Sequence, residues 1–493
     1  SLQTIFRFFA SFDGLATTDK PHCVNKMGSF RLCRSWVFGV VSGDGSVFRS
    51  LSAKSYATAA HKAKGRSGAS GKERALRHFD EFYSGVYGAE WPSIRLALLC
   101  PNKPCAVLNS FLGTSDETLR DLQAQGALSL GALYERRRAA ASAPPERSGS
   151  GLELLEPEER PEQHDPSAAT PFDDSARLIR PGSSLTAGGG SPLLSFVPST
   201  RMVYQEEQVS EGAYYDFYRP KAGLSIPLKR WQGCRFPEKL CVALFGTGDL
   251  SEFRRPRRRA NDLLEYYLMD GASILPVLAL DLQKGDVVGD FCAAPGGKLL
   301  ATRFTLLPAR CEAYDQSPSR LKRLQAAVQS YVPDSQLGSV RIQQKNILEP
   351  NKLAKDSFDK ILLDVPCSND RHSLEEDDNN LFSPKRMEER LALPQKQMQM
   401  LCNALQCLLP GGSLVYSTCS LSPIQNDGVV HMALQQLWET TPLEFAVVDL
   451  SSALGPLEGT FRFFGGSRYG CLALPHLPNN FGPLYVAKIE RVR

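Results

Sequence analysis

Val287-Val-Gly-Asp290-Phe-Cys-Ala-Ala-Pro-Gly-Gly-Lys298 decides the fold: an apolar run closes on Asp290, small residues and paired glycines follow, and Lys298 leads into a helix-compatible stretch. A strand that enters a glycine turn and then a helix is the opening unit of a parallel α/β sheet, whose ligands bind beyond the carboxyl ends of its strands. Gly296 and Gly297 let backbone approach such a ligand closely. The spacing is not Gly-x-Gly-x-x-Gly and no basic phosphate-gripping motif follows, which favours a single nucleoside over a dinucleotide.

Outward from this turn the pattern repeats. Strands are predicted at 287–293, 312–315, 340–345, 358–365, 413–418 and 485–489, separated by helices opened by Ser317-Pro318, Ser383-Pro384 and Ser422-Pro423. Each pair offers an N-cap hydroxyl and a proline whose fixed φ suits the first helical turn. The alternation predicts a doubly wound, mostly parallel α/β sheet. Asp315 ends the second strand, where a carboxylate can accept from both ribose hydroxyls or cap the next helix.

Two of the thirteen cysteines stand apart. Cys367, in Asp364-Val-Pro-Cys367, and Cys419, in Ser417-Thr-Cys419-Ser420, each follow a strand-like run, so both thiols can reach one site. Either alone is more often a packing residue, the reading kept for Cys402, Cys407 and Cys471. The cysteines lack the spacing of a secreted disulfide framework, and no Cys-x-x-Cys pair occurs, so a reducing compartment and no metal are expected.

Taken together, these motifs resemble the Sun-domain RNA (cytosine-5) methyltransferases over about 76–125 and 258–493. The runs Tyr266-Tyr-Leu-Met-Asp-Gly-Ala-Ser-Ile-Leu-Pro-Val-Leu-Ala-Leu280, Val365-Pro-Cys-Ser-Asn-Asp-Arg-His372 and Asn480-Phe-Gly-Pro-Leu-Tyr485 are most similar to the branch acting on mitochondrial ribosomal RNA. The resemblance implies a Rossmann-like class I fold dependent on S-adenosyl-L-methionine. It implies cofactor contacts at Cys292, Ala293, Ala294, Pro295, Gly296, Gly297, Lys298, Asp315, Arg320, Asn346 and Asp364. Carbon 5 of cytosine must be activated by a nucleophile at carbon 6, which is covalent catalysis. By resemblance Cys419 attacks, and Cys367 assists proton removal and product release. A helix N-terminus or a nearby cation such as Lys298 would lower the Cys419 pKa, and Asp364 would contact either the cytosine edge or the cofactor. The sequence departs from the family at Asn346, where an aspartate is usual, and at Gly289 and Leu299.

The resemblance also implies ribosomal RNA of the small mitochondrial subunit as substrate and a role in mitochondrial ribosome assembly. It implies a matrix location and a helical-repeat partner of the mitochondrial transcription-termination-factor family. Other readings are a transfer-RNA substrate and an assembly factor whose catalysis is dispensable. An amine methyltransferase needs a polar-Pro-Pro-aromatic loop, which Asp364-Val-Pro-Cys367 does not supply.

Composition orders the remainder. Residues 1–72 carry eleven Lys and Arg against Asp13, Asp19 and Asp44, a transit-peptide composition; the sequence opens on Ser1, and a different native start is expected. Segment 73–138 reads as an N-terminal helical extension, 139–200 as a low-complexity linker, 201–257 as an unassigned stretch with possible RNA contacts, and 258–493 as the catalytic domain. Net charge is only +4, so RNA affinity must come from clusters such as Arg254-Arg-Pro-Arg-Arg-Arg259 or from a partner. Surfaces around Trp91 and Phe481 are the expected partner contacts, and the Asp370-Arg371-His372 loop can line the RNA entrance. No apolar run approaches the roughly 18 residues of a membrane span, so no membrane insertion is expected.

Overall fold

The structure, a computed structural model, describes residues 69–142, 225–231, 235–259 and 262–493. The readings of 1–72 and 139–200 therefore fall outside the described residues, except at 69–72 and 139–142.

The chain's first described helix is α1, Gly71–Tyr87, begun by a reciprocal capping box between Ser70 and Glu73 and ended at Gly88, whose φ of 49° a side chain would resist. Its buried residues Ala75, Phe79, Tyr83 and Tyr87 recur every fourth position and form one inward stripe. Next come α2 (Trp91–Leu98), β1 (Pro104–Leu108), α3 (Ser115–Ala124), β2 (Ala127–Ser129) and α4 (Leu130–Ser142). The segment read as a helical extension thus also carries two strands. They join β4 (Val242–Phe245) and β5 (Tyr266–Asp270) in a sheet of order β2-β4-β1-β5, with β1 antiparallel to both its neighbours. Between β2 and β4 in the chain lies β3 (Leu228–Arg230). The described part of the unassigned 201–257 stretch therefore contributes one strand to each sheet.

The larger sheet is built from β6 (Val287–Phe291), β7 (Arg310–Asp315), β8 (Val340–Gln344), β9 (Phe358–Asp364), β10 (Leu408–Thr418), β11 (Phe445–Asp449), β12 (Arg462–Phe464), β13 (Cys471–Leu474) and β14 (Leu484–Arg491). Its order is β8-β7-β6-β9-β10-β14, parallel except for β14. The outer edge of β14 is shared by β13 and β11, which lead on to β12 and β3 respectively. The chain starts at β6, winds outward through β7 and β8, then returns to β9 beside β6. That reversal is the switch point at which doubly wound sheets bind ligands.

Flanking the sheet are α5 (Gly297–Phe304), α6 (Pro318–Tyr331), α7 (Asp370–Glu375), α8 (Leu393–Leu405) and α9 (Val429–Thr440). Ser317 caps α6, its hydroxyl accepting from Arg320 N. The other two Ser-Pro pairs differ from expectation: Ser383 precedes a single 3₁₀ turn, Ser422 precedes the wide turn Ile424–Gly428, and neither hydroxyl makes a cap bond. Proline fixes φ there without aiming the preceding hydroxyl. No helix among the described residues is long and apolar enough to cross a membrane.

Gly289 explains itself in the core. A Cβ there would lie 2.8 Å from Phe291 Cε1 and 3.2 Å from Phe358 Cδ1. The missing side chain makes room for Phe291, which stacks on Tyr314 at 5.0 Å and meets Phe358 edge-on at 5.6 Å. Leu299, the other departure, is fully buried behind the glycine turn. Gly289→Val should therefore overpack the strand and cost about 1–3 kcal/mol in chemical denaturation; wild-type stability would show that the aromatic cluster has slack.

Candidate active site

The ends of β6, β7, β8, β9 and β10 bring the expected residues to one edge. After β6, Cys292 adopts φ 67° and Gly296 φ 117°, folding the loop back before α5. A Cβ on Gly296 would meet Leu324 Cδ1 at 2.9 Å, and one on Gly297 would meet Tyr267 Cε1 at 3.1 Å. The turn therefore requires glycine at its tightest point. Ala293 N donates to Tyr314 O (3.0 Å), Ala294 O accepts from Arg320, and Pro295 is exposed at the loop tip. Burial, and next to it Asp315, push the Cys292 thiol well up, so it contributes shape rather than charge.

Asp315 is 3% exposed; its Oδ1 accepts from Ser317 N (2.9 Å), while Oδ2 has no hydrogen bond and lies 3.4 Å from Arg320 Nε. Asn346 follows β8 at the same edge, and its Oδ1 accepts from Leu348 N (3.1 Å), with one lone pair left for another donor.

On the other side of the switch point, Cys367 and Cys419, 52 residues apart in sequence, bring their sulfurs to 3.0 Å. Cys419 N also donates to Cys367 Sγ (3.3 Å). Lys298 reaches from the first turn of α5 to Asp364 Oδ2 (2.7 Å), and Ser417 donates to Asp364 Oδ1 (2.8 Å). Burial opposes the Lys298 charge, but Asp364, Cys419 and Asp290 raise its pKa overall. The expected lowering of the Cys419 pKa is not met: the hydrogen bond with Cys367 and then burial hold it well above the ordinary thiol value, and Lys298 pulls the other way without prevailing.

Several residues that bear on the site escaped the sequence reading. Asp290, 1% exposed at the end of β6, leaves Oδ2 without a partner; burial pushes its carboxyl up to about 8, with Asp364 adding to the rise and Lys298 opposing it. Its place in the quoted motif was the available signal. Tyr267, which walls Gly297, comes from the smaller sheet, and nothing local announces that contact. Conversely, Asp370 and Arg371 do not line an entrance: both are buried, and Arg371 donates to the carbonyls of Ala97, Cys100 and Gly482. Trp91 and Phe481 are themselves buried, at 5% and 1%, so a contact in these regions would fall on exposed neighbours such as Leu96. Within the basic run, Arg254 and Arg259 pair with the buried Glu265, which leaves Arg255, Arg257 and Arg258 exposed.

A family profile described as 16S rRNA methyltransferase RsmB/F matches residues 277–489. The 5-cytosine rRNA methyltransferase nsun-4 of Caenorhabditis elegans is 34% identical over 438 residues, covering 85% of this chain and 92% of that protein. The chain belongs to the Sun-domain RNA (cytosine-5) methyltransferase family. The mouse 5-cytosine rRNA methyltransferase NSUN4 is 44% identical over 286 residues, 58% of this chain and 74% of that protein. A mouse mitochondrial tRNA (cytosine(34)-C(5))-methyltransferase is 34% identical over 238 residues, 48% and 66%. As a member of this family the chain is an RNA (cytosine-5) methyltransferase that uses S-adenosyl-L-methionine. The residues fit that cofactor: two buried carboxylate oxygens, on Asp290 and Asp315, lack hydrogen bonds, and the glycine turn beside them admits no side chain. A cationic, hydroxyl-bearing nucleoside supplies the donors they need.

Two outcomes follow. Asp315→Ala should weaken S-adenosyl-L-methionine in calorimetric titration by about tenfold or more, the loss of hydrogen bonds to a charged acceptor; unchanged affinity would remove Asp315 from the ribose. Asp290, with its folded pKa raised to about 8, contributes stability that is full below the ordinary carboxylate range and is lost as pH rises through about 8. In the cofactor-free protein this loss amounts to at most about 1.4 kcal/mol per pH unit. Asp290→Asn should flatten that part of the profile between about pH 5 and 8, and parallel profiles would contradict it.

Proposed function

We propose that this enzyme forms 5-methylcytosine in small-subunit ribosomal RNA of mitochondria through a covalent cysteine–cytosine adduct, within ribosome assembly in the matrix. The single observation that carries the chemistry is the 3.0 Å approach of Cys367 and Cys419 beside the Lys298–Asp364 pair. The ribosomal substrate rests on relatives: the worm protein named for ribosomal RNA spans most of this chain, whereas the transfer-RNA relative covers under half.

The Cys419 thiolate adds to carbon 6 of an extruded cytosine and pushes electron density onto carbon 5. The Lys298 ammonium favours this thiolate, and the shared hydrogen bond makes Cys367 the neighbour that can relay its proton. S-adenosyl-L-methionine, when bound, supplies an electrophilic methyl group. Cys367 then assists removal of the carbon 5 proton, after which the Cys419–carbon 6 bond breaks. Asp364, held by Lys298 and Ser417, can meet the ring edge where charge builds.

The exposed Arg255 and Arg257 are candidate phosphate contacts. A helical-repeat protein of the mitochondrial transcription-termination-factor family would supply the rest of the RNA grip, and the exposed Leu96 of α2 and Leu99 just after it are candidate contacts for it.

Cys419→Ala should abolish methylation, whereas Cys367→Ala should leave protein covalently attached to cytosine-containing RNA on a denaturing gel. Methylation by Cys419→Ala, or an adduct in it, would overturn the assignment. Mass spectrometry of ribosomal RNA from cells lacking the protein should show loss of a 5-methylcytosine from the mitochondrial small subunit; an intact set, with a loss in transfer RNA, would move the substrate.

A further inference from the structure

We propose that helix α1 is a positioning element of the methyl-transfer site, acting through the Tyr83 hydroxyl on Asp370, a carboxylate that ties together the residues directly following both cysteines. This role rests on the thiol chemistry proposed above and names residues that chemistry does not use.

Asp370 is fully buried. Its Oδ2 accepts from Tyr83 OH (2.7 Å) and Leu421 N (2.7 Å), and its carboxylate also takes the hydroxyls of Ser368 (2.5 Å) and Ser420 (3.4 Å). Ser368 follows Cys367, while Ser420 and Leu421 follow Cys419, so one side chain spans both reactive loops. Its own N–H leans on Cys419 O at 3.4 Å, and Tyr87 OH holds Leu421 O (2.5 Å) from the next turn of α1. Gln425 closes the other flank, accepting from Ser368 N (3.0 Å) and donating to its hydroxyl (3.0 Å).

Among the described residues no cation pairs with this carboxylate; the neighbouring Arg371 guanidinium is turned onto the carbonyls of Ala97 and Cys100. The described partners of Asp370 are hydrogen-bond donors. Burial pushes the Asp370 carboxyl up, and the donors, Ser368 and Leu421 N before Tyr83, pull it down. Removing the Tyr83 hydroxyl shifts that balance toward the protonated acid, which must donate one bond and so cannot accept from every present partner. The anchor shared by the two loops then weakens, and the register of the reactive sulfurs loosens with it. A purely packing role for Tyr83 would be served by its ring, which stacks on Phe79 at 5.1 Å and meets Trp91 at 5.4 Å.

Tyr83→Phe keeps those ring contacts and deletes only the hydroxyl. In the full-length enzyme it should lower kcat by about tenfold, the size of one hydrogen bond to a charged group expressed as a rate, with KM for S-adenosyl-L-methionine unchanged because no cofactor contact involves α1. Combined with Asp370→Asn it should add nothing further, since both act through one carboxylate. In a Cys367→Ala background, adduct accumulation on RNA should slow by the same factor. Wild-type kcat and adduct rate in Tyr83→Phe, whether or not its unfolding midpoint falls, would reduce the contact to packing and overturn the positioning role. Absence of any adduct in Cys367→Ala alone would instead overturn the thiol chemistry, and this role with it.

Discussion

The parallel pairing of β9 with β10 is the constraint on which the site depends. In this register Asp364 stands opposite Ser417, and Val365 N donates to Ser417 O (3.2 Å). Because the strands are parallel, their carboxyl ends leave the sheet on the same edge, and the short Val-Pro-Cys and Thr-Cys exits must run side by side. A slip of one residue would turn alternate side chains to the other face and separate the thiols. The same edge receives the glycine turn after β6 and Asp315 after β7, so donor, acceptor and nucleophile are brought together by one sheet order.

Electrostatics explains why the edge is built as it is. Asp290, Asp315 and Asp364 cluster there against Lys298 and Arg320. Lys298 is committed to Asp364, and Arg320 approaches Asp315 without a hydrogen bond to its Oδ2. Two buried oxygens have no hydrogen-bond partner in the protein, a costly state that favours a ligand able to supply donors. A nucleoside bearing an ammonium, a sulfonium charge and two ribose hydroxyls does so. Lys298, in the first turn after the glycines, pairs with Asp364 and feels Cys419 as well, so one lysine faces both the cofactor turn and the nucleophile.

Much of this was legible in the sequence where the signal is local. The six strands predicted for the catalytic sheet all recur, β10 starting earlier at Leu408, because most are short apolar runs of the kind that mark buried strands. The thiol pair was legible because each cysteine follows such a run. What escaped were the contacts set by distant pairing. Pro104–Leu108 gave no strand signal, since its partners Val242–Phe245 and Tyr266–Asp270 lie far along the chain. The Asp370-Arg371-His372 loop was read as able to line an RNA entrance, and the burial of Asp370 and Arg371 depends on α1 and α2, which no nearby residue announces. The division of the basic run was hidden for the same reason: Glu265, which takes Arg254 and Arg259, becomes their partner only when the chain doubles back at Asp262.

The central claim is that two thiols share one site with unequal roles, Cys419 attacking and Cys367 assisting. Its most direct test is to incubate the wild-type enzyme with S-adenosyl-L-methionine and RNA carrying 5-fluorocytosine, whose fluorine blocks release, and to map the trapped nucleotide by mass spectrometry of the digested protein. The account predicts the nucleotide on the peptide containing Cys419, with Cys367 unmodified. A nucleotide on the Cys367 peptide would contradict it.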